Sequence, residues 1–111
     1  MSRLSKPTSE DYFSVRRVDT GVEVLLQLSG ELDIAGIDQI VDAVRHLPPA
    51  CHVIIDLSQL SFMDSTGIRA FMTLDLRSRS EQWSLTLKAA QPQVLNVLKV
   101  CGFDGRFEMT P

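Results

Sequence analysis

The sequence is poor in sulfur and aromatics and has no surplus of positive charge. Of its 111 residues two are cysteine, one is tryptophan and one is tyrosine. Cys51 and Cys101 stand far apart and outside any C-x-x-C arrangement, which removes a disulfide framework and points to plain thiols. His46 and His52 flank the stretch LPPAC and have no further ligand at zinc-like spacing, so no metal site is expected. Lysine and arginine number 11 against 14 aspartates and glutamates, a net charge of −3. Gripping a phosphate backbone takes cations massed on one face, so nucleic acid is not an expected partner. No apolar run approaches the roughly 20 residues of a membrane span, and the opening MSRLSKPTSE lacks the apolar core of a secretory signal. The expectation is a soluble cytoplasmic protein with no membrane contact.

Hydrophobic residues make up 44% and charged residues 23%, the usage of an ordinary globular domain and not of a disordered chain. The length suits one domain, since two cores would each need about 100 residues. Residues 1–10 are polar and read as a flexible lead-in, leaving 11–111 as the domain.

Along that domain, YFSVRRV and VEVLLQLSG surround an Asp-Thr-Gly turn and predict a β-hairpin. The period then changes. Ile37, Ile40, Val41, Val44 and Leu47 fall at the spacing of one helical face, and Pro48-Pro49 ends that helix. CHVIIDL is nearly continuous and apolar, which predicts a strand buried on both faces at the centre of the sheet. From Ser65 the pattern is helical again, with Ile68, Phe71 and Met72 at helical spacing and Asp75 one turn before Arg79. WSLTLKA alternates like a strand. QPQVLNVLKVCG carries Pro92 in its first turn, a stripe of Val94, Leu98 and Cys101, and Gly102 where a C-terminal cap belongs. A last short strand falls near RFEM. Strands separated by helices require crossovers, so the fold class is α/β: a single domain with a mixed sheet of four to five strands covered by helices.

The stretch FMDSTG, residues 62–67, sets two hydroxyls beside a carboxylate at a strand-to-helix junction. Asp64 or Ser65 there can cap the helix through a side-chain oxygen. Enzymatic readings fail on spacing. A nucleophile elbow needs glycine two residues before the serine, where Met63 stands, and no histidine is placed as a base. An aspartic-protease triplet would lack the extra residue between Asp64 and Thr66 and would need a second copy. No glycine-rich phosphate loop is present either. A serine at such a junction is open to a kinase, and a phosphate beside Asp64 would concentrate negative charge without unfolding the domain.

SGELDIA at 29–35, VIIDLSQLSFMDSTGIRAF at 53–71 and VLNVLKVCGFDGRFEM at 94–109 together resemble the STAS domain of bacterial anti-sigma factor antagonists, over residues 12–109. The resemblance implies a partner-switching module and not an enzyme, without cofactor. Its unphosphorylated form binds an anti-sigma factor that is also a serine kinase, so that the sigma factor is released and transcription can start. The kinase phosphorylates the serine after the motif aspartate, and a PP2C-type phosphatase reverses this. On this chain the phosphoacceptor is Ser65 and the adjacent acid Asp64. Thr66 matches the second hydroxyl, and Glu31 and Asp33 match the acidic loop. The partner surface then comprises Glu31, Asp33, Asp64, Ser65, Thr66 and Gly67, with Ile68 and Arg69 at its edge. Gly36-Ile37-Asp38 replaces the Thr-Ala-Pro-like residues usual after ELDIA, which leaves the shape of that loop open. The free protein is expected to be a monomer. The rival reading is a STAS scaffold component that is not regulated by phosphorylation, with Cys51 and Cys101 as a redox pair if they approach within about 6 Å between Cα atoms.

Overall fold

The computed structural model describes residues 13–103 and 105–111; the expected lead-in at 1–10 lies outside them. Five strands form one sheet in chain order: β1 (Phe13–Asp19), β2 (Glu23–Leu32), β3 (His52–Met63), β4 (Ser84–Lys88) and β5 (Glu108–Thr110). The helices are α1 (Ile37–Ala43), preceded by a 3-10 turn at Ile34–Gly36, α2 (Ile68–Glu81) and α3 (Pro92–Val100). β1 and β2 are the expected antiparallel hairpin, and every later pairing is parallel. The α/β class with a mixed sheet therefore holds. Because each right-handed crossover steps in the same direction, the helices gather on one face.

That one-sided cover corrects the reading of the central strand. In β3, Val53, Ile55 and Leu57 are completely buried, whereas His52, Ile54 and Asp56 on the opposite face are only partly so. The apolar run is thus a half-covered strand that uses isoleucine on both sides. Its polar side holds a ladder across three strands. His52 Nδ1 lies 2.5 Å from Ser84 Oγ and Nε2 lies 2.9 Å from Thr86 Oγ1, which donates to Glu108 at 2.9 Å.

The covered face packs Val24, Leu26 and Leu28 of β2 and Ile55 and Leu57 of β3 against Ile40, Phe71, Leu74, Val94 and Leu98 from the helices. Helix α1 ends at Ala43, well short of Pro48. The Arg17 guanidinium reaches across from β1 and donates to the carbonyls of Ala43 (3.2 Å) and Arg45 (2.7 Å), closing the helix end before the prolines matter. Met72 also departs from expectation. The buried positions of α2 are Ile68, Ala70, Phe71, Leu74, Asp75 and Ser78, so Met72 points outward and is 41% exposed. The Asp75–Arg79 pair is present at 3.2 Å, and Arg106 joins it at 3.6 Å.

Strand β3 is longer than its neighbour. It pairs with β4 only through His52–Asp56, while β2 follows it to Met63, with register shifts on the way. Beyond β4, Gln91, the residue ahead of α3, donates to the Ser58 carbonyl (2.6 Å), and Gln93 in α3 donates to that of Ser61 (3.0 Å). The chain thus runs past the end of β4 to residues 62–67.

Candidate functional site

The overhang ends in a turn built by Asp64. Its Oδ1 accepts from the N–H groups of Thr66 (3.0 Å) and Gly67 (3.1 Å) and from the Thr66 hydroxyl (2.6 Å). The Gly67 N–H also meets the Asp64 carbonyl at 3.0 Å. One carboxylate thus serves the first amides ahead of α2, which begins at Ile68 and not at Ser65. The Thr66 hydroxyl, outweighing the partial burial that opposes it, holds the Asp64 carboxyl below its ordinary pKa, and the Gly67 and Thr66 amides add to the effect. With Asp64 and Thr66 occupied by each other, Ser65 stands exposed at the tip of the turn.

Gly67 seats this turn on the rest of the fold. A Cβ there would lie 2.9 Å from Met63 Cγ and 3.1 Å from the Leu32 carbonyl oxygen. The close approach joins the turn to the end of β2, where Glu31 pairs with Phe62 and Leu32 with Met63. Past Leu32 the chain turns at Asp33, whose Oδ1 accepts from the Ala35 N–H at 2.9 Å. Gly36 is buried beneath, since a Cβ there would come within 2.7 Å of Phe13. This settles the loop that the Gly36-Ile37-Asp38 departure left open: it is a 3-10 turn capped by Asp33.

The expected site residues fall into two groups. Glu31, Asp33, Ser65, Thr66 and Arg69 are exposed and Asp64 is half-buried, and the pairing of β2 with β3 brings these segments to one end of the sheet. Gly67 and Ile68 are buried, Ile68 to 3% exposure. Gly67 is pressed against Leu32, and Ile68 is part of the core cluster. Four further apolar residues, none of them expected at the surface, are exposed. Ile34 (61% exposed) and Phe62 (47%) stand at the same end of the sheet, and Met72 and Leu76 (62%) lie on the outer side of α2. Their signal was an apolar residue out of phase with the buried stripe of its own element.

Among the described residues no three His, Cys, Asp or Glu side chains gather as a metal site, and no helix is long and apolar enough to cross a membrane. Cys51 and Cys101 are both free thiols, Cys51 buried and Cys101 half-buried; burial pushes the Cys51 thiol above its ordinary pKa. Around Ser65 the structure offers an exposed hydroxyl on an acidic turn.

The arrangement is a mixed sheet whose central strand overhangs into an Asp-Ser-Thr-Gly turn beside an acidic loop. The family model described as "Mlab, STAS domain" matches residues 15–111. The chain belongs to the STAS domain family. Several solved structures share its fold. An anti-sigma factor antagonist from Mycobacterium paratuberculosis superposes with a TM-score of 0.72 at 20% identity, covering 95% of this chain and 91% of that one. The Bacillus cell fate determinant SpoIIAA, in its phosphorylated form, gives a TM-score of 0.63 at 24% identity, covering 89% and 90%. A sulfate transporter family protein from Wolinella succinogenes gives 0.70 at 15% identity, covering 84% and 80%. Among curated proteins none matches the sequence.

Proposed function

We propose that this chain is an anti-sigma factor antagonist that works by binding and not by turnover, and that Ser65 is its switch. In the unphosphorylated state the surface of Glu31, Asp33, Asp64, Ser65, Thr66 and Arg69 engages an anti-sigma factor with serine kinase activity, which frees the sigma factor. Phosphorylation of Ser65 ends the contact and a PP2C-type phosphatase restores it, in the cytoplasm and with the free protein a monomer. The observation that carries this reading is the exposure of Ser65 on a turn whose other polar groups already satisfy one another. A phosphate adds roughly −1.5 to −2 charges without disturbing any of those bonds. It opposes docking through repulsion and through the cost of burying charge. That the fold is shared with anti-sigma factor antagonists, one of them solved phosphorylated, supports the assignment.

A second reading, a constitutive STAS scaffold in which Ser65 only shapes the turn, draws on the matching model's description as Mlab and on the sulfate transporter family neighbour. One experiment separates the two. The full chain is incubated with ATP and each candidate anti-sigma kinase of the same genome and its intact mass measured, while Ser65→Ala and Ser65→Glu are compared in binding. A single added phosphate, absent from Ser65→Ala, with Glu weakening and Ala preserving binding, is the expected result. No modification together with equal binding of both variants leaves the scaffold.

A further inference from the structure

We propose that Ser84 is an acyl-acceptor site: with His52 as base, its hydroxyl takes an acyl group from a neutral ester or thioester. The site is independent of Ser65, since His52 opens β3 and Ser65 follows the far end of that strand.

The residues belong to the polar ladder on the half-covered side of β3. Register brings them together: Ser84 is the partner of His52 across β3 and β4, and Glu108 is the partner of Thr86 across β4 and β5. The direction of each hydrogen bond then follows from the chemistry of its ends. An ionised Glu108 only accepts, so the Thr86 hydroxyl donates its single proton there, at 2.9 Å. With that proton used, Thr86 Oγ1 accepts from His52 at 2.9 Å, which places the imidazole proton on Nε2. A neutral His52 therefore turns a bare Nδ1 to Ser84, 2.5 Å from Oγ, and the serine proton points into it. Nucleophile, base and orienting group stand in one line, with Thr86 joining Glu108 to the imidazole. Thr86 is 5% exposed and sheltered from competing water, whereas Ser84 is exposed and open to a reagent.

Attack by Ser84 Oγ on the donor's carbonyl carbon forms a C–O bond as the serine proton passes to His52 Nδ1. The donor's C–S or C–O bond then breaks, and the leaving thiolate or alkoxide takes that proton from His52. Nothing else is consumed. The positive charge on His52 meanwhile lies between Glu108 on β5 and Glu23, its register partner on β2. The same two carboxylates repel an anionic donor such as an acyl phosphate, which selects a neutral one. The Ser84 amide donates to the Cys51 carbonyl at 3.1 Å, so it does not steady the oxyanion. The product is accordingly one acylated serine per chain and not turnover.

The test incubates the full chain with phenyl thioacetate, a neutral thioester, and follows intact mass and peptide maps. One acetyl group should appear on Ser84 and be missing in Ser84→Ala, with His52→Gln about a hundredfold slower, the share of a general base. Acetyl phosphate should label Ser84 more slowly than the thioester. Nitrogen-15 shifts of the His52 ring should place its proton on Nε2 in the parent chain. Glu108→Ala, at an exposed position, frees the Thr86 proton to donate to Nε2; the imidazole proton should move to Nδ1 and acylation should slow, which a merely structural role of Glu108 would not produce. Circular dichroism checks that each variant is folded. An unlabelled Ser84, labelling indifferent to His52→Gln, a ring proton on Nδ1 in the parent chain, or equal labelling by acetyl phosphate overturns the proposal.

Discussion

Replacing Asp64 with alanine removes the carboxylate that organises the turn, and its cost can be worked from the structure. Three hydrogen bonds end on Asp64 Oδ1. The Thr66 hydroxyl and amide sit in an exposed residue and recover water. The Gly67 amide is more enclosed but keeps its bond to the residue-64 carbonyl at 3.0 Å. No donor is stranded, so the loss is that of a helix cap, about 1 kcal/mol and not above about 2 kcal/mol. For a domain of this size that is a fall in Tm of about 4 °C. The sign of the pH dependence follows from the lowered pKa. Unfolding returns the carboxyl to its ordinary value near 3.8, so the stabilisation is complete above that pH and fades as pH falls through the lower folded value. Urea and thermal melts followed by circular dichroism at pH 7 and in acid should therefore show Asp64→Ala less stable than the parent at neutrality, with the gap narrowing as pH falls through the lowered folded value. Asp64→Asn, which keeps an acceptor oxygen, should lose less. A difference below about 0.3 kcal/mol at pH 7, or one that widens toward acid, would refute the account of the turn.

Other expectations concern the supports of the site. Gly67 has an ordinary φ of −66°, so Gly67→Ala tests contact and not backbone strain; the Cβ 2.9 Å from Met63 should cost about 1–3 kcal/mol in urea melts, and an unchanged midpoint would show that β2 and the turn are not pressed together. Phe71 is fully buried and meets Phe107 edge-on at 6.3 Å between centroids, so Phe71→Ala should cost about 3–5 kcal/mol, with a loss under about 1 kcal/mol contradicting this packing. Asp75→Asn weakens a carboxylate shared by Arg79 and Arg106 whose partners are half-exposed. Stability should fall by less than about 1 kcal/mol, while hydrogen exchange around Arg106 speeds up; unchanged exchange there would mean that Asp75 does not hold that segment.

Element order and type were legible because each element carries its own period, and Asp-Thr-Gly, Pro92 and Gly102 mark real boundaries. What failed depended on contacts distant in sequence. Nothing near Ala43 announces that Arg17, from β1, will close α1 there. Nothing within CHVIIDL tells that helices cover one face only, since isoleucine serves a half-exposed position as readily as a buried one. At the site, the cap formed by Asp64 was readable as a local side-chain-to-amide bond. The burial of Gly67 was not, because it depends on Leu32, 35 residues earlier. Met72 followed Phe71 and was assigned inward, yet the buried side of α2 runs through Ile68, Phe71, Leu74, Asp75 and Ser78, which leaves Met72 and Leu76 outside.

The two ends of the sheet bear on how the molecule behaves in a crowded cell. A free strand edge is a row of unpaired donors and acceptors that invites another chain to add to it. Here β1 carries the exposed Arg16 and Asp19, and β5 has only three residues before Pro111, which has no amide hydrogen to offer. Neither is a long apolar template for aggregation. Among the described residues, the two edges therefore offer an added strand little to pair with.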